Sequence, residues 1–288
     1  MYDIFVSHVQ IVGALNVTPN SFHDGGQFMD EDTAVRRAGE MIKDGADIVE
    51  IGGESSLNAA AVSSEEELRR VIPVLQRLRA EHPATLFSVD TSKSSVAEEA
   101  IKAGVMMIND VSAGRADPKM FSIVAPSPVK LVLMYSKDIP PTAISDQKYD
   151  DVIVTIRELL AARADVAIKA GVSAERIIID PGLGFFLSSD PSYSFQVLAH
   201  LHEFSSLGFP IFLSPSRKSF LAGSEKLPPA DRLPGTIAAS VIAVLHGASY
   251  IRTHDVLEVR RACEVAGKFA VKRRPATSQN SPAPDSSK

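Results

Sequence analysis

Four passages of the chain share one pattern, and this repetition constrains the fold more than any other feature. In each passage a helical stretch ends at Lys or His, a glycine follows closely, and a short apolar run comes after it. The passages are "KDGADIVEIGGES", "KAGVMMINDVSAG", "KAGVSAERIIIDPGLG" and "HGASYIRTHDV". Glycine ends a helix by adopting a left-handed conformation, and a cation in the last turn is favoured by the helix dipole. The apolar runs are too short for helices and rich in Ile and Val, which indicates buried strands of a parallel sheet.

Eight apolar runs of this kind lie along the chain, with helical stretches between them. The predicted strands are Ile11–Val17, Ile48–Ile51, Leu86–Asp90, Met106–Asn109, Leu131–Met134, Ile177–Asp180, Ile211–Ser214 and Tyr250–Thr253. In the clearest helix, "SSEEELRRVIPVLQRLRAE", Ser64 and Glu67 predict a capping box. Eight strands at this spacing predict an α/β fold, a single-domain (β/α)8 TIM barrel over residues 1–271. An open doubly wound sheet is the alternative, but no GxGxxG motif follows the first strand.

Composition restricts the functional class. The formal net charge is −5, which argues against non-specific binding of nucleic acid. The single cysteine, Cys263, excludes an intrachain disulfide and a cysteine-rich zinc site. No run of 18 apolar residues is present and the N-terminus does not resemble a signal peptide, so we expect a cytoplasmic enzyme without membrane contact. Residues 272–288, rich in Ser, Pro and Ala, are predicted to be a disordered tail.

Polar side chains mark the ends of the predicted strands. Six of the eight ends carry an amide or a charge, and in a barrel these ends converge at one mouth. Asp90, Asn109 and Asp180 would together offer acceptors and donors to a planar heterocycle. A helix cap at Asp90 and turn roles at Asn109–Asp110 and at Asp180 are the alternatives.

A second group of side chains at the mouth is cationic. Arg217 and Lys218 follow the seventh strand, where barrels commonly bind phosphate. Arg252 and His254 lie two residues apart, so both would point to the same face of the eighth strand and towards an anion. Asn16, on the neighbouring first strand, offers an amide oxygen for Mg²⁺. The residues alone therefore predict two separate patches, and the alternative is that Arg217 and Lys218 pair with acids on the rim.

Seven segments of the chain, taken in order, resemble the dihydropteroate synthase family. They are "GALNVTPNSFHDGGQF", "ADIVEIGGESS", "FSVDTSK", "MINDVSAG", "IIIDPGLGF", "SRKSFL" and "GTIAASVIAVLHGASYIRTHDV", within residues 10–262. The resemblance implies a TIM barrel, a homodimer and a Mg²⁺-dependent reaction. In that reaction, 6-hydroxymethyl-7,8-dihydropterin diphosphate and p-aminobenzoate are joined and diphosphate is released.

The resemblance also implies roles for individual residues. Asp90, Asn109, Asp180 and Lys218 would hold the pterin ring, and Asn16, Arg252 and His254 the diphosphate, with Asn16 as the Mg²⁺ ligand. Substrate-binding roles are implied for Asn16, Ser56, Asp90, Asn109, Met134, Asp180, Lys218, Ser219, Arg252 and His254. Ser56 and Ser219 would lie near p-aminobenzoate. Catalytic roles are implied for Asp24, which would order over the site, and for Asp90, Asp180, Lys218, Arg252 and His254.

Several positions depart from the family pattern, mostly on the p-aminobenzoate side. Ser56–Ala59 replaces the usual Thr-Arg-Pro-Gly, Tyr135 follows strand five where His is usual, and Phe186 follows strand six. Glu50 ends strand two, where Asp is usual. The sequence is similar here to plasmid-borne sulfonamide-resistance variants, which predicts a site that separates the drug from p-aminobenzoate. Lineage drift without effect on drug binding is the alternative.

Two other functions are compatible with a pterin pocket. A pterin-dependent methyltransferase with a corrinoid partner would share the pterin positions but has no reason to keep the anion site. A catalytically silent paralogue would bind a pterin or a partner without turnover, and the altered second loop favours it.

Overall fold

A computed structural model describes residues 9–18, 31–54, 62–139 and 146–269. Eight parallel strands form a closed barrel in which each strand pairs with the next and the last pairs with the first. The strands are β1 (Gln10–Asn16), β2 (Ile48–Gly52), β3 (Leu86–Asp90), β4 (Met107–Asp110), β5 (Lys130–Met134), β6 (Ile177–Asp180), β7 (Ile211–Leu213) and β8 (Ala248–Thr253). The TIM barrel prediction is confirmed. The predicted tail, 272–288, lies outside the described residues.

Helices follow the strands and cover the barrel. They are α1 (Glu31–Lys43), α2 (Ser64–Glu81), α3 (Ser94–Lys102), α4 (Met120–Val124), α5 (Val152–Lys169), α6 (Ser192–Ala199), α7 (Leu233–Leu245) and α8 (Val256–Phe269). None of the helices in the described ranges has the length and apolar content needed to cross a membrane.

The repeated glycines end their helices as the sequence predicts. Gly45, Gly104, Gly171 and Gly247 have φ values between +89° and +100°, a range that side-chain-bearing residues rarely adopt. Each ends a helix and turns the chain towards the next strand, with a short 3-10 turn (Ala174–Arg176) between Gly171 and β6.

The predicted capping box of α2 is wrong by one residue. The N-cap is Ser63, whose Oγ accepts a hydrogen bond from the Glu66 nitrogen at 3.2 Å. Glu67 instead lies buried against the barrel, where its carboxylate pairs with Lys93. Two adjacent serines and three glutamates allow the helix to begin after either serine. Packing of the apolar face of the helix selects the start at which Glu67 points inwards.

Alternation along the strands builds the barrel interior in layers. The lower layer is apolar and consists of Val12, Ile48, Met107, Val132, Ile178, Phe212 and Tyr250. Side chains two residues further along a strand point the same way, so they form the next layer towards the mouth. That layer contains Glu50, Asn109, Asp180 and Arg252. The apolar floor therefore supports a charged layer directly above it.

Candidate active site

The carboxylate of Glu50 links three other strands inside the barrel. Glu50 is fully buried, and its Oε1 accepts hydrogen bonds from Arg252 Nε and from Asn109 Nδ2, the latter at 3.2 Å. Its Oε2 accepts a hydrogen bond from Ser88 Oγ at 3.1 Å. Arg252 Nη2 also donates to Asp90 Oδ2 at 3.3 Å. Residues of β2, β3, β4 and β8 are thus connected in one network.

The prediction of two separate patches, one acidic and one cationic, is wrong. Arg252 does not stand among cations, because it makes ion pairs with Glu50 and Asp90. A guanidinium removed from water requires carboxylate partners within hydrogen-bonding distance, and the interior layer supplies both. Charges of opposite sign therefore alternate across one mouth.

Asn109 keeps an unused acceptor. Its Nδ2 is committed to Glu50, whereas its buried Oδ1 has no hydrogen-bond partner among the described residues. A buried acceptor without a partner is unfavourable and is usual where a ligand supplies the donor. The turn role belongs to the next residue: the Asp110 carboxylate accepts hydrogen bonds from the Ser112 nitrogen and hydroxyl and from the Gly114 nitrogen.

Asp90 is an interior acid and caps no helix. Helix α3 begins after Lys93, and the first free nitrogen, that of Ser94, donates to Asp117 instead. Burial raises the pKa of Asp90 to about 7, although the Arg252 guanidinium acts to lower this pKa. Asp90 therefore titrates close to neutral pH.

Asp180, at the end of β6, and Lys218, after β7, also lie at the mouth. Asp180 Oδ1 closes a turn by accepting from the Gly182 nitrogen at 2.7 Å, so the turn role predicted as an alternative accounts for one of its two oxygens. Burial raises the pKa of Asp180 to about 6 and lowers the pKa of Lys218 to about 8. Lys218 Nζ donates to the Leu183 carbonyl at 3.2 Å and lies 4.4 Å from the centroid of the Phe186 ring.

Arg217 and Lys218 point in different directions. Arg217 has a φ of +55°, which turns the chain sharply, and its Nε donates to Asp255 Oδ2 at 2.9 Å on the rim. For Arg217, pairing with an acid is thus the correct prediction. Lys218, one residue further, points inwards and makes no such rim pair within the described ranges. The strained turn lets one motif supply both a structural ion pair and an interior cation.

His254 is held between Asn16 and Ser216. Its Nε2 lies 3.3 Å from Asn16 Nδ2, which can only donate, so Nε2 is the acceptor and the proton resides on Nδ1. Nδ1 then donates to Ser216 Oγ at 3.0 Å, and the same oxygen accepts from the His254 backbone nitrogen at 3.1 Å. Burial, aided by Arg252, lowers the pKa of His254 to about 4. The lowered pKa disfavours the cationic form of His254 that the sequence predicts.

Gly52 opens a space between Asn16 and Asp90. The three residues are neighbours in register, and a Cβ at Gly52 would lie 3.6 Å from Asn16 Oδ1 and 3.7 Å from Asp90 Cβ. The amide oxygen of Asn16 therefore borders this space. Mg²⁺ accepts such oxygens and commonly completes its shell with phosphate oxygens and water. In the described ranges no group of three His, Cys, Asp or Glu side chains could hold a metal.

The other predicted site residues border the same mouth or lie outside the described ranges. Met134 ends β5 beside Asp180 and is buried. Ser219 lies against the loop after β6, since a Cβ at Gly184 would approach its Oγ to 3.4 Å. Asp24 and Ser56 lie outside the described residues.

Two features of the site escape prediction from sequence. Ser216 begins the "SRKSFL" segment of the predicted anion site, but its hydrogen bond to His254 is not indicated there. Tyr149 joins the loops after β5 and β6, because its Oη donates to the Leu187 carbonyl at 2.8 Å and accepts from Tyr135 at 3.3 Å. The partners of Tyr149 are distant in sequence, and no local pattern indicates them.

Comparison with known proteins identifies the family. The sequence pattern of the pterin binding enzyme family matches residues 12–254. The chain belongs to this family. Dihydropteroate synthase of Bacillus subtilis is 40% identical to it over 256 residues, which is 88% of this chain and 86% of the relative.

Solved structures agree with this assignment. Dihydropteroate synthase of Clostridium difficile, determined in the presence of pteroic acid, has a TM-score of 0.85 at 38% identity, over 93% of this chain and 99% of that one. Dihydropteroate synthase of Xanthomonas albilineans with 4-aminobenzoic acid has a TM-score of 0.84 at 38% identity, over 94% and 95% of the two chains. The family and the transferase class that the sequence predicts are confirmed.

Proposed function

We propose that the chain is a dihydropteroate synthase that joins 6-hydroxymethyl-7,8-dihydropterin diphosphate to p-aminobenzoate and releases diphosphate. The observation that carries this proposal is the convergence of Asp90, Asn109 and Asp180, from three strands, beside Lys218 and Arg252. A pterin-dependent methyltransferase has no need of the Asn16, Ser216 and His254 group, and the relatives of this chain are dihydropteroate synthases.

The part of the mouth that holds Asp90, Asn109 and Asp180 suits the pterin ring. A pterin presents ring N–H and amino donors, and each would find an acceptor in the two aspartates and in the free Oδ1 of Asn109. Lys218 would donate to a ring acceptor. Because positive charge develops on the pterin when diphosphate leaves, ionised Asp90 and Asp180 would stabilise the transition state more than the ground state.

The part that holds Asn16, Ser216 and His254 suits the diphosphate. The hydroxyl of Ser216, whose oxygen already accepts from both N–H groups of His254, supplies a hydrogen-bond donor there, and Asn16 supplies an amide oxygen. Mg²⁺, for which Asn16 is the proposed protein ligand, would offset negative charge on the leaving oxygen. In the reaction, the carbon–oxygen bond between the pterin methylene and diphosphate breaks. A carbon–nitrogen bond to the aryl amine forms, and a proton leaves that nitrogen.

The p-aminobenzoate side supports a further proposal, reduced sensitivity to sulfonamides. Phe186 covers the ammonium of Lys218, and Tyr149 fixes the loop that carries Phe186. A loop held in one position can admit p-aminobenzoate and sterically exclude a bulkier mimic.

Self-association is proposed from the outer surface. Helices α7 and α8 pack together, and large apolar side chains on both are exposed: Ile242, Leu245, Val265 and Phe269. Exposed apolar groups on adjacent helices are typical of a subunit interface, so we propose a homodimer through these helices. The cytoplasmic location stays a prediction.

Turnover of the purified chain with both substrates and Mg²⁺ tests the proposed function. We expect dihydropteroate formation, and a fall in kcat/KM of roughly 10- to 100-fold for Asp180→Asn, because a charged acceptor is lost. Asp110→Asn is the matched control: this carboxyl is equally buried but serves a turn, so stability falls while KM for the pterin substrate is retained. Absence of turnover with intact pterin binding would instead indicate a silent paralogue.

The raised and lowered pKa values predict a bell-shaped pH dependence of kcat/KM for the pterin substrate. Activity falls on acidification through about pH 7 to 6, as Asp90 and Asp180 become protonated. It falls on the alkaline side above about pH 8, as Lys218 loses its proton. Lys218→Arg is expected to move the alkaline limb upwards, because a guanidinium stays protonated. An unmoved limb would assign it to another group.

Inhibition by sulfamethoxazole tests the drug-sensitivity proposal. Relative to KM for p-aminobenzoate, we expect the inhibition constant to exceed that of the Bacillus subtilis relative by about tenfold or more, equivalent to about 1.4 kcal/mol. Phe186→Gly is expected to lower the inhibition constant of sulfamethoxazole relative to KM for p-aminobenzoate. Equal ratios for the two enzymes would contradict the proposal.

Light scattering tests the dimer. We expect twice the 30.9 kDa chain mass, and a shift towards monomer for Leu245→Glu combined with Val265→Glu. Val166→Glu, at a comparably exposed position on α5, is the control and should leave the mass unchanged. A monomeric wild-type chain at micromolar concentration would exclude the interface.

A further inference from the structure

We propose that Glu50 is a positioning residue of the pterin site: it selects the orientation of the Asn109 amide and fixes the guanidinium of Arg252. This inference rests on the proposed function, because it concerns how the same site recognises the pterin. Glu50 itself faces other side chains through both of its oxygens and is fully buried.

The first argument concerns the amide of Asn109. An amide can place either its oxygen or its nitrogen towards the mouth, and the two orientations present opposite hydrogen-bonding character to a ligand. Next to the Glu50 carboxylate, only the nitrogen is favourable, since an amide oxygen there would face another acceptor. Nδ2 accordingly donates to Glu50 Oε1 at 3.2 Å, and Oδ1 is left without a partner. The buried carboxylate thus makes Asn109 an acceptor towards the substrate.

The second argument concerns Arg252. Its Nε is bound by Glu50 and its Nη2 by Asp90, so two carboxylates on different strands hold two edges of one planar group. A guanidinium fixed at two points keeps one orientation, whereas one fixed at a single point can rotate. Glu50 therefore also sets the orientation in which Arg252 donates its hydrogen bond to Asp90.

The third argument concerns the length of the side chain. Oε1 receives both Asn109 and Arg252, while Oε2 is held by Ser88 Oγ at 3.1 Å. These contacts come from β3, β4 and β8, and a side chain one methylene shorter could not maintain all of them at once.

Three variants test the role of Glu50. Glu50→Gln keeps the shape of the side chain but removes the charge that orients Asn109. Glu50→Asp keeps the charge but shortens the side chain by one methylene. Ser88→Ala removes only the hydrogen bond to Glu50 Oε2. Glu67→Gln is the matched control, because Glu67 is an equally buried, ion-paired carboxylate that lies outside the barrel interior.

The measurements separate positioning from stability. For Glu50→Gln we expect KM for pterin diphosphate, and the Kd of 6-hydroxymethylpterin measured by calorimetry, to rise roughly 10- to 100-fold. The KM for p-aminobenzoate should stay within about twofold. Glu50→Asp should recover part of this loss and Ser88→Ala should show a smaller loss. The Asn109 side-chain amide resonance should shift in Glu50→Gln and not in Glu67→Gln.

Two outcomes decide the matter. If Glu50→Gln and Glu67→Gln lower Tm alike while pterin KM and Kd are unchanged in both, Glu50 is only structural and the proposal is overturned. If Glu50→Gln does not fold, Glu50→Asp and Ser88→Ala still decide it, since unchanged pterin Kd in both would contradict the role. Absence of turnover in every variant, with the Kd for the pterin still dependent on Glu50, would refute the proposed function but support the positioning role.

Discussion

The ion pair between Arg252 and Glu50 is the interaction on which the site depends. The two residues are 202 positions apart in the chain, and closure of the barrel places them in contact. Neither charge would be stable there alone, because removal of an ion from water costs several kcal/mol. Together they allow a charged layer to rest on an apolar floor.

This layer also explains why the remaining acids have unusual properties. Glu50, Asp90 and Asp180 share the mouth with Lys218 and Arg252, so carboxyl groups outnumber cations. Burial, and to a lesser extent the neighbouring carboxylate of Glu50, raises the pKa values of Asp90 and Asp180 towards neutrality. A ligand that offers N–H donors, and that gains positive charge during reaction, relieves this imbalance. The ionised forms of the buried aspartates are unfavourable in the free protein. They become favourable beside a pterin that gains positive charge as its anionic leaving group departs.

Local patterns in the sequence were sufficient for the barrel and for the residues at its mouth. Helix-ending glycines and short Ile- and Val-rich runs located all eight strands, and polar residues at strand ends located Asp90, Asn109 and Asp180. Contacts between side chains of different strands were not predictable in this way. The partners of Arg252, the lowered pKa of His254 and the contacts of Tyr149 depend on side chains brought together only when the barrel closes. The divergence of Arg217 and Lys218 depends on a single left-handed residue that no propensity indicates.

A crystal structure of the chain with a non-reactive analogue of pterin diphosphate tests the central claim most directly. The account predicts that the ring lies within hydrogen-bonding distance of Asp90, Asp180 and the Oδ1 of Asn109. It also predicts that the bond between Arg252 and Glu50 remains in place and that the diphosphate lies beside Ser216 and His254. A ring bound elsewhere, or an Arg252 turned away from Glu50 with Asn109 Oδ1 still unpartnered, would contradict it.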